Sequence, residues 1–365
     1  MTETMTRRQR VLAALDRKQP DRVPALGRTD MPAVKWSGHT ILDCFRDEDV
    51  YVRAQLMSME EWGVEVAWGG GVAGIPFERA LGQKIIESET NAVSPAEPLI
   101  NSLADLEALP AHPNVKDSRW YRYMASINAK LRKAIGDDAC VITSVPSPFR
   151  CACLLRGPDN VYVDMYENPD LVKRLIDYCV RPVTELAEMV ADAGADAVFA
   201  AAPVASRNMI SRQHYLEFVH DMHKTVFADW KTRVGVRVVH HTCGDWSDRL
   251  DLVAEEAPTC IQIADEPTSK MPLDQTKALV DNRVSIMGNL KCTGPMMFGT
   301  PEDVEQECIE SIRKGALGGG FLLSSDCGLA WDTPIENIKA ILRATKKYGV
   351  YPQLTNAGPQ PAAAL

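Results

Sequence analysis

The chain has 365 residues, 45% of them hydrophobic and 24% charged, with a formal net charge of −9. That length suits one large domain or two smaller ones, and the composition is that of an ordinary globular protein. The 40 basic residues are scattered, which excludes the clustered footprint of a nucleic-acid binder, and the acidic balance disfavours anionic membranes. No uncharged run reaches the roughly 18 residues a bilayer span needs, and the opening lacks the apolar core of a signal peptide, so a cytoplasmic location is predicted. Ten cysteines lie without the regular spacing of a disulfide scaffold; most are expected to be buried thiols and a few metal ligands.

In chain order, residues 6–17 predict an amphipathic helix with Val11, Leu12 and Leu15 on one face, and "RVPAL" (22–26) a short extended run. After an irregular region come a helix near 47–62, an apolar strand "VEVAW" (64–68) and a Gly-Gly-Gly loop at 69–71. Beyond residue 100, short β-rich runs recur at 140–145, 196–201, 234–240, 260–264, 284–290 and 320–325. Helical patterns lie between them at 169–193, 211–231, 246–256, 272–281, 301–315 and 333–348. "NPDLVKRL" and "TPEDVEQE" each place proline in the first turn behind an Asn or Thr cap.

Near-continuous apolar strands alternating with helices imply a parallel sheet covered on its outer face. Eight strand candidates fit a (β/α)8 TIM barrel with an elaborated N-terminal region; a doubly wound open sheet competes, but no GxGxxG follows an early strand. The chain reads as a single barrel domain over 1–365: residues 1–100 carry the extension and first strands, 101–350 the main βα repeats, and 351–365 a tail.

In such a barrel the working face lies at the strand C-termini. "VVHHTCGDW" puts His241 and Cys243 just past one strand, and "FLLSSDCGLAWDTP" puts Asp326 and Cys327 just past another. One imidazole and two thiolates make three of the four positions of a tetrahedral zinc site, leaving the fourth for substrate, water or a protein oxygen. Asp265 and Glu266, in "IADEPTSK", lie at the corresponding level of a third strand, and either is a candidate for that fourth position. His240 reads either as support for the neighbouring ligand or as barrel wall, and Asp326 as a proton donor or ligand-orienting group against a helix cap.

Several stretches together resemble the uroporphyrinogen decarboxylase superfamily, and within it the corrinoid-linked methyltransferase branch. They are "MTRRQRVLAALDRKQPDRVP", "ADAGADAV", "HHTCG", "GNLKCTGPMMFGTPEDV" and "LLSSDCGLAWDTPIENIKA". The resemblance covers nearly the whole chain and implies that zinc binds His241, Cys243 and Cys327. The spacing is also similar to the zinc site of cobalamin-independent methionine synthase, in which a carboxylate between the two cysteines completes the shell; this favours Asp265 or Glu266. Two departures stand out. The decarboxylases carry an arginine-rich N-terminal segment for a polycarboxylate, where this chain has "ALGRTDMPA" with Arg28 alone, and relatives often carry an acid where this chain has Ala202.

The resemblance implies a zinc-dependent methyltransferase working with the corrinoid of a separate carrier protein. The expected direction is from a small methylated donor, an O-methyl compound such as a methoxylated aromatic, to Co(I). The alternative is transfer from a methyl-corrinoid to a thiol of the coenzyme M type; a metal-free lyase of the decarboxylase type and a non-catalytic zinc-stabilised barrel are further rivals. A homodimer is compatible with each. Trp36, Trp62, Trp68, Met31, Met57 and Met59 suggest an apolar lid, with Trp68 and Met31 as candidate substrate contacts. "HDMH" (220–223) reads as a solvated helix face, Cys151 and Cys153 as packing in an extended segment, and Cys260 and Cys292 as core thiols near the cavity.

Overall fold

Eight strands lie parallel in one sheet: β1 (Ala25–Leu26), β2 (Val66–Gly69), β3 (Cys140–Pro146), β4 (Ala197–Ala201), β5 (Arg237–Thr242), β6 (Cys260–Ile263), β7 (Ser285–Leu290) and β8 (Phe321–Ser325). The computed structural model describes residues 3–70, 72, 74–351 and 354. Apart from Tyr351 and Leu354, the expected tail falls outside them, as does Gly71 of the triple glycine. β1 pairs with β8, and pairing runs back strand by strand to β2. A helix follows every strand, from Glu48–Glu61 after β1 to Ile335–Tyr348 after β8, so the architecture is the expected (β/α)8 barrel. β1 is shorter than its apolar run because Pro24 has no N–H to donate, although its carbonyl accepts from Leu323 at 3.1 Å.

Three local expectations are corrected. Arg119–Ile135 is a helix outside the expected pattern, although Ser118 caps it and Tyr121, Met124, Ile127 and Leu131 line its buried face. Cys151 and Cys153 lie in the helix Pro148–Arg156, not in an extended segment; a short run that is apolar on every side has no periodicity to tell the two apart. Gly69 closes β2 instead of opening a loop: it pairs with Thr143 of β3, an approach so close that a Cβ there would run into Thr143 Oγ1.

The barrel interior is apolar at its base. Val11, Ala14 and Leu15 of the helix Arg7–Leu15 plug the N-terminal mouth beneath Val66, Cys140, Val239, Cys260, Met287 and Leu322. The Thr6–Gln9 capping box starts that helix, and Arg8 ties it to Asp196 at 2.8 Å. Trp68, Ile142 and Phe199 belong to the same cluster, with Trp68 meeting Phe199 edge to face at 5.6 Å.

The one seam without a ladder, between β1 and β2, is closed by Glu65. Its N–H donates to the Ala25 carbonyl at 3.3 Å and its Oε2 accepts from the Ala25 N–H at 2.6 Å. The same buried carboxylate receives Arg10 at 2.6 Å and Arg22 at 2.7 Å. Asp21 faces Arg10 at 2.7 Å; burial opposes its ionisation, yet the Arg10 hydrogen bond and charge hold its carboxyl down at about 2. Because that value lies below the ordinary 3.8, the contribution of Asp21 is fully present above about pH 4 and is lost as pH falls through 2. Glu65→Gln keeps the shape but leaves two buried guanidiniums short of charge. Unfolding titrations should show a loss of about 3 kcal/mol, the low end for a broken buried pair because Asp21 still faces Arg10. An unchanged midpoint would remove Glu65 as the closing element.

Candidate metal centre at the C-terminal rim

The pleat of β5 turns successive side chains to opposite faces, and at its end His241 faces the interior. Its ring packs on Phe199 with centroids 5.0 Å apart. Nδ1 lies 2.6 Å from Gln262 Oε1, on β6, while Gln262 Nε2 donates to the Ser325 carbonyl at 2.7 Å. That second bond fixes which end of the amide is oxygen, so Nδ1 must carry the proton and the Nε2 lone pair is left for a cation. Nε2 points at Cys327 Sγ, 3.9 Å away.

Cys243 and Cys327 reach the same point from two turns. Gly244 follows Cys243 with φ +101°, a conformation that suits glycine, and a Cβ there would press on Ser206 at 3.2 Å. Trp246 Nε1 donates to the Cys243 carbonyl at 3.0 Å, and Ser325 Oγ donates to the Cys327 carbonyl at 2.8 Å. The donor atoms of His241, Cys243 and Cys327 all lie within 4.8 Å of one another. Tetrahedral zinc, with Zn–S about 2.3 Å and Zn–N about 2.0 Å, asks for S–N edges of roughly 3.6 Å. The histidine is buried while both cysteines are half-buried, so the cluster opens toward the barrel mouth.

The thiols divide their protons unequally. Hydrogen bonds from Cys243 and then Cys292 hold Cys327 far below the ordinary thiol range, against the effect of burial, with His241 adding to them. Cys243 and Cys292 are driven up in turn, first by the bond to Cys327 and then by burial. Cys292, read from sequence as a core thiol near the cavity, is thus linked electrostatically to Cys327.

The acidic residues separate. Asp265 is buried with neither carboxylate oxygen hydrogen-bonded, its nearest cation Lys291 at 3.6 Å. Glu266 opens the short helix Glu266–Ser269, pairs with Lys314 at 2.7 Å and accepts from the Leu273 N–H at 3.1 Å. Its Oε1 takes both contacts, and of the two candidates for the fourth position only Asp265 is buried with neither oxygen hydrogen-bonded. Asp326 caps no helix: its Oδ1 accepts the Cys292 N–H at 2.9 Å, and burial raises its pKa.

Arg28 completes the floor. Its guanidinium lies 4.8 Å from the Phe199 ring and 5.8 Å from Trp68, donates to Asp30 at 2.9 Å and reaches Ser144 Oγ at 3.2 Å. Burial works against its charge, while Asp30 first and Cys327 after it raise its pKa. Trp68 is fully buried with its indole N–H on the Gly27 carbonyl at 2.8 Å, so it forms the floor beneath the site. Met31 packs half-buried against the core outside the barrel, Trp62 and Met59 are buried in that core, and Trp36 is 42% exposed; the expected apolar lid does not form.

Of the two readings of His240, support for the neighbouring ligand is corrected. The residue faces outward from β5, fully buried, on the side away from His241, so it takes no part in the rim cluster. "HDMH" is corrected with it: His223 is fully buried and His220 nearly so, because the helix packs that face against β5 and the turn after it. Gln262 was passed over; its signal was a lone polar residue inside the apolar run "CIQIA".

Gln262→Leu removes the acceptor for Nδ1. Zinc affinity, measured by competition with a chelator, should fall about 10–100-fold; equal affinity would show that the tautomer is set elsewhere. Glu307, on the helix Pro301–Gly315, is raised to about 7, first by burial and also by Asp326 and Asp265, against the Lys291 N–H that it accepts at 2.8 Å. A carboxyl raised from 4.5 costs stability as pH rises through that interval, so Glu307→Gln should be neutral near pH 4.5 and stabilising above 7 in thermal unfolding. A pH-independent effect would contradict this.

Comparison with known proteins fits this geometry. A family model described as uroporphyrinogen decarboxylase (URO-D) matches residues 6–348. The chain is 25% identical over 359 residues to a methylated-thiol–coenzyme M methyltransferase of Methanosarcina mazei, covering 95% of this chain and 91% of that one. It is 25% identical over 358 residues to a methylcobamide:CoM methyltransferase of Methanosarcina acetivorans, covering 95% and 99%. Among solved structures, a methyltransferase from Methanosarcina mazei superposes with a TM-score of 0.83 at 21% identity, covering 94% of this chain and 99% of that one. With its family's model matched along nearly its whole length, the chain belongs to the uroporphyrinogen decarboxylase family.

Proposed function

We propose that this protein is a zinc-dependent methyltransferase that passes a methyl group from the corrinoid of a separate carrier protein to a small thiol bearing an anionic tail. The observation that carries the reading is the His241–Cys243–Cys327 cluster, half-open at the barrel mouth, with a half-buried cation, Arg28, on the same floor. Two thiols and one imidazole with its lone pair freed are a donor set for zinc, and Asp265 is the carboxylate available to complete it when no thiol is present. Bound there, zinc supplies the Lewis acidity that holds a thiol as its thiolate at neutral pH. In the net reaction the thiol loses its proton, its sulfur takes the methyl group, and the cobalt–carbon electron pair remains on cobalt.

The residues of the chain position that exchange. His241 is oriented through Gln262, and Cys327 through Ser325, which links the Cys327 turn to Gln262 and receives the Arg28 N–H at 3.3 Å. Arg28 meets an anionic tail such as the sulfonate of coenzyme M. The names of the two Methanosarcina relatives, both coenzyme M methyltransferases, support this direction over demethylation of an O-methyl donor. The missing aromatic lid also weighs against a methoxylated aromatic. Carrier docking falls to the rim loops, where Phe298 is 79% exposed after β7 and Met209 is 45% exposed after β4.

The test is methylcobalamin with 2-mercaptoethanesulfonate, following methylthioether formation. Wild type should turn over, and Cys327→Ser should lose about 100-fold or more, the equivalent of several kcal/mol of metal assistance. Turnover unaffected by that change, or none with any thiol in zinc-loaded protein, would reject the reading. Arg28→Met should raise KM for the sulfonate thiol about 10-fold or more while sparing 2-mercaptoethanol, the difference being one charge-assisted contact. Equal effects on both thiols would deny Arg28 that role. Phe298→Glu should raise KM for a methylated carrier protein but not for free methylcobalamin; an equal response to both would place docking elsewhere.

A further inference from the structure

The outward face of β5 carries a second cluster of metal-competent side chains, independent of the rim. His240 from β5, His223 from the helix Asp221–Asp229 and Glu256 just after the helix Leu250–Glu255 converge there. Each is essentially inaccessible to solvent, and their donor atoms lie within 4.8 Å of one another. Glu256 Oε2 is 3.4 Å from His223 Nδ1 and 3.3 Å from His240 Nδ1.

Those separations do not make hydrogen bonds. Both ring nitrogens of His223, both of His240, and Glu256 Oε2 have no hydrogen-bond partner. Each such buried atom is costly if nothing answers it. Tetrahedral zinc with bonds of about 2.0–2.1 Å to nitrogen and oxygen requires ligand edges near 3.3 Å. The two measured gaps match that edge.

The surroundings are those of a closed site. Glu256 Oε1 accepts the Tyr215 hydroxyl, an outer hydrogen bond that orients the carboxylate and leaves Oε2 to face the imidazoles. Phe227 stacks on His223 with centroids 4.9 Å apart, and Trp246 stands edge-on to His240 at 5.7 Å, walling off water. A carboxyl group sealed among imidazoles and aromatic rings has no counter-charge when ionised, and a divalent cation provides one.

We propose that His223, His240 and Glu256 form a second site for a divalent transition cation, with zinc the best match, that fastens two helices to the back of the strand whose other face carries His241. The site is structural, since nothing in it opens to the barrel mouth. Three donors from three separate elements tie the helix Asp221–Asp229 and the turn after Leu250–Glu255 to β5 as a cross-link would.

The test uses the full chain purified from zinc-supplemented medium and dialysed against a weak chelator. Wild type should hold two equivalents of zinc. Cys243→Ser/Cys327→Ser should hold one, with an X-ray absorption spectrum showing only nitrogen and oxygen neighbours and the scattering pattern of imidazole. Adding His223→Gln and His240→Gln should remove that remaining equivalent. Should this last variant fail to fold, the spectrum of the double-cysteine variant still decides. No metal in the double-cysteine variant, or metal there with sulfur neighbours, would overturn the second site. The rim reading fails separately: wild type holding only one equivalent, unchanged in amount and in its sulfur-free shell by the cysteine substitutions, rejects the rim and keeps this site.

Discussion

Alternation along one strand governs both clusters of metal-competent side chains. A pleated strand sends neighbouring residues to opposite faces, so His240 and His241 cannot serve one site. The register of β5 against β6, with His241 opposite Gln262, decides which of them faces the interior. Slipping that register by one residue would exchange the two histidines, pulling His241 from Gln262 and His240 from Glu256. The environment beneath enforces the register. Val239 belongs to the apolar plug and Val238 to the shell between sheet and helices, so either face would pay in buried area for a slip.

Above the plug the chemistry changes within one layer. Trp68, Ile142 and Phe199 form the last apolar tier, and Ser144, His241, Gln262 and Ser325 lie just above it. Ser325 joins three parts of the site: its carbonyl takes Gln262, its hydroxyl holds the Cys327 carbonyl and it receives the Arg28 N–H. Buried polar groups are tolerated there because each answers another, and where they do not, as at Asp265, an incoming cation is the natural partner. The N-terminal end is built on the opposite logic, with Arg10 and Arg22 converging on Glu65 to seal the seam.

Most of the architecture was legible in the chain. The eight apolar runs become the eight strands because a parallel sheet buried on both faces needs near-continuous Val, Ile and Leu. His241, Cys243 and Cys327 were legible because polar, metal-competent residues at strand ends stand out against that background. The phase of β5 was not: the doublet His240–His241 reads the same in either register until the partner strand is known. Gln262 and Cys292 were hidden by distance, since one matters through a strand neighbour 21 residues away and the other through Cys327, which the sequence does not set beside it. His223 was misjudged because an i, i+3 histidine pair on a helix looks solvated unless the surface covering it is in view.

The central claim is that the rim cluster holds zinc with one position open to a substrate thiol. Zinc K-edge absorption of the wild-type protein, recorded without and with 2-mercaptoethanesulfonate, tests it most directly. The account predicts that the thiol adds one sulfur neighbour at the rim zinc already bearing two, displacing an oxygen, so the mean over both zincs of the chain rises from about one sulfur to about one and a half. Unchanged sulfur coordination at saturating thiol would contradict it.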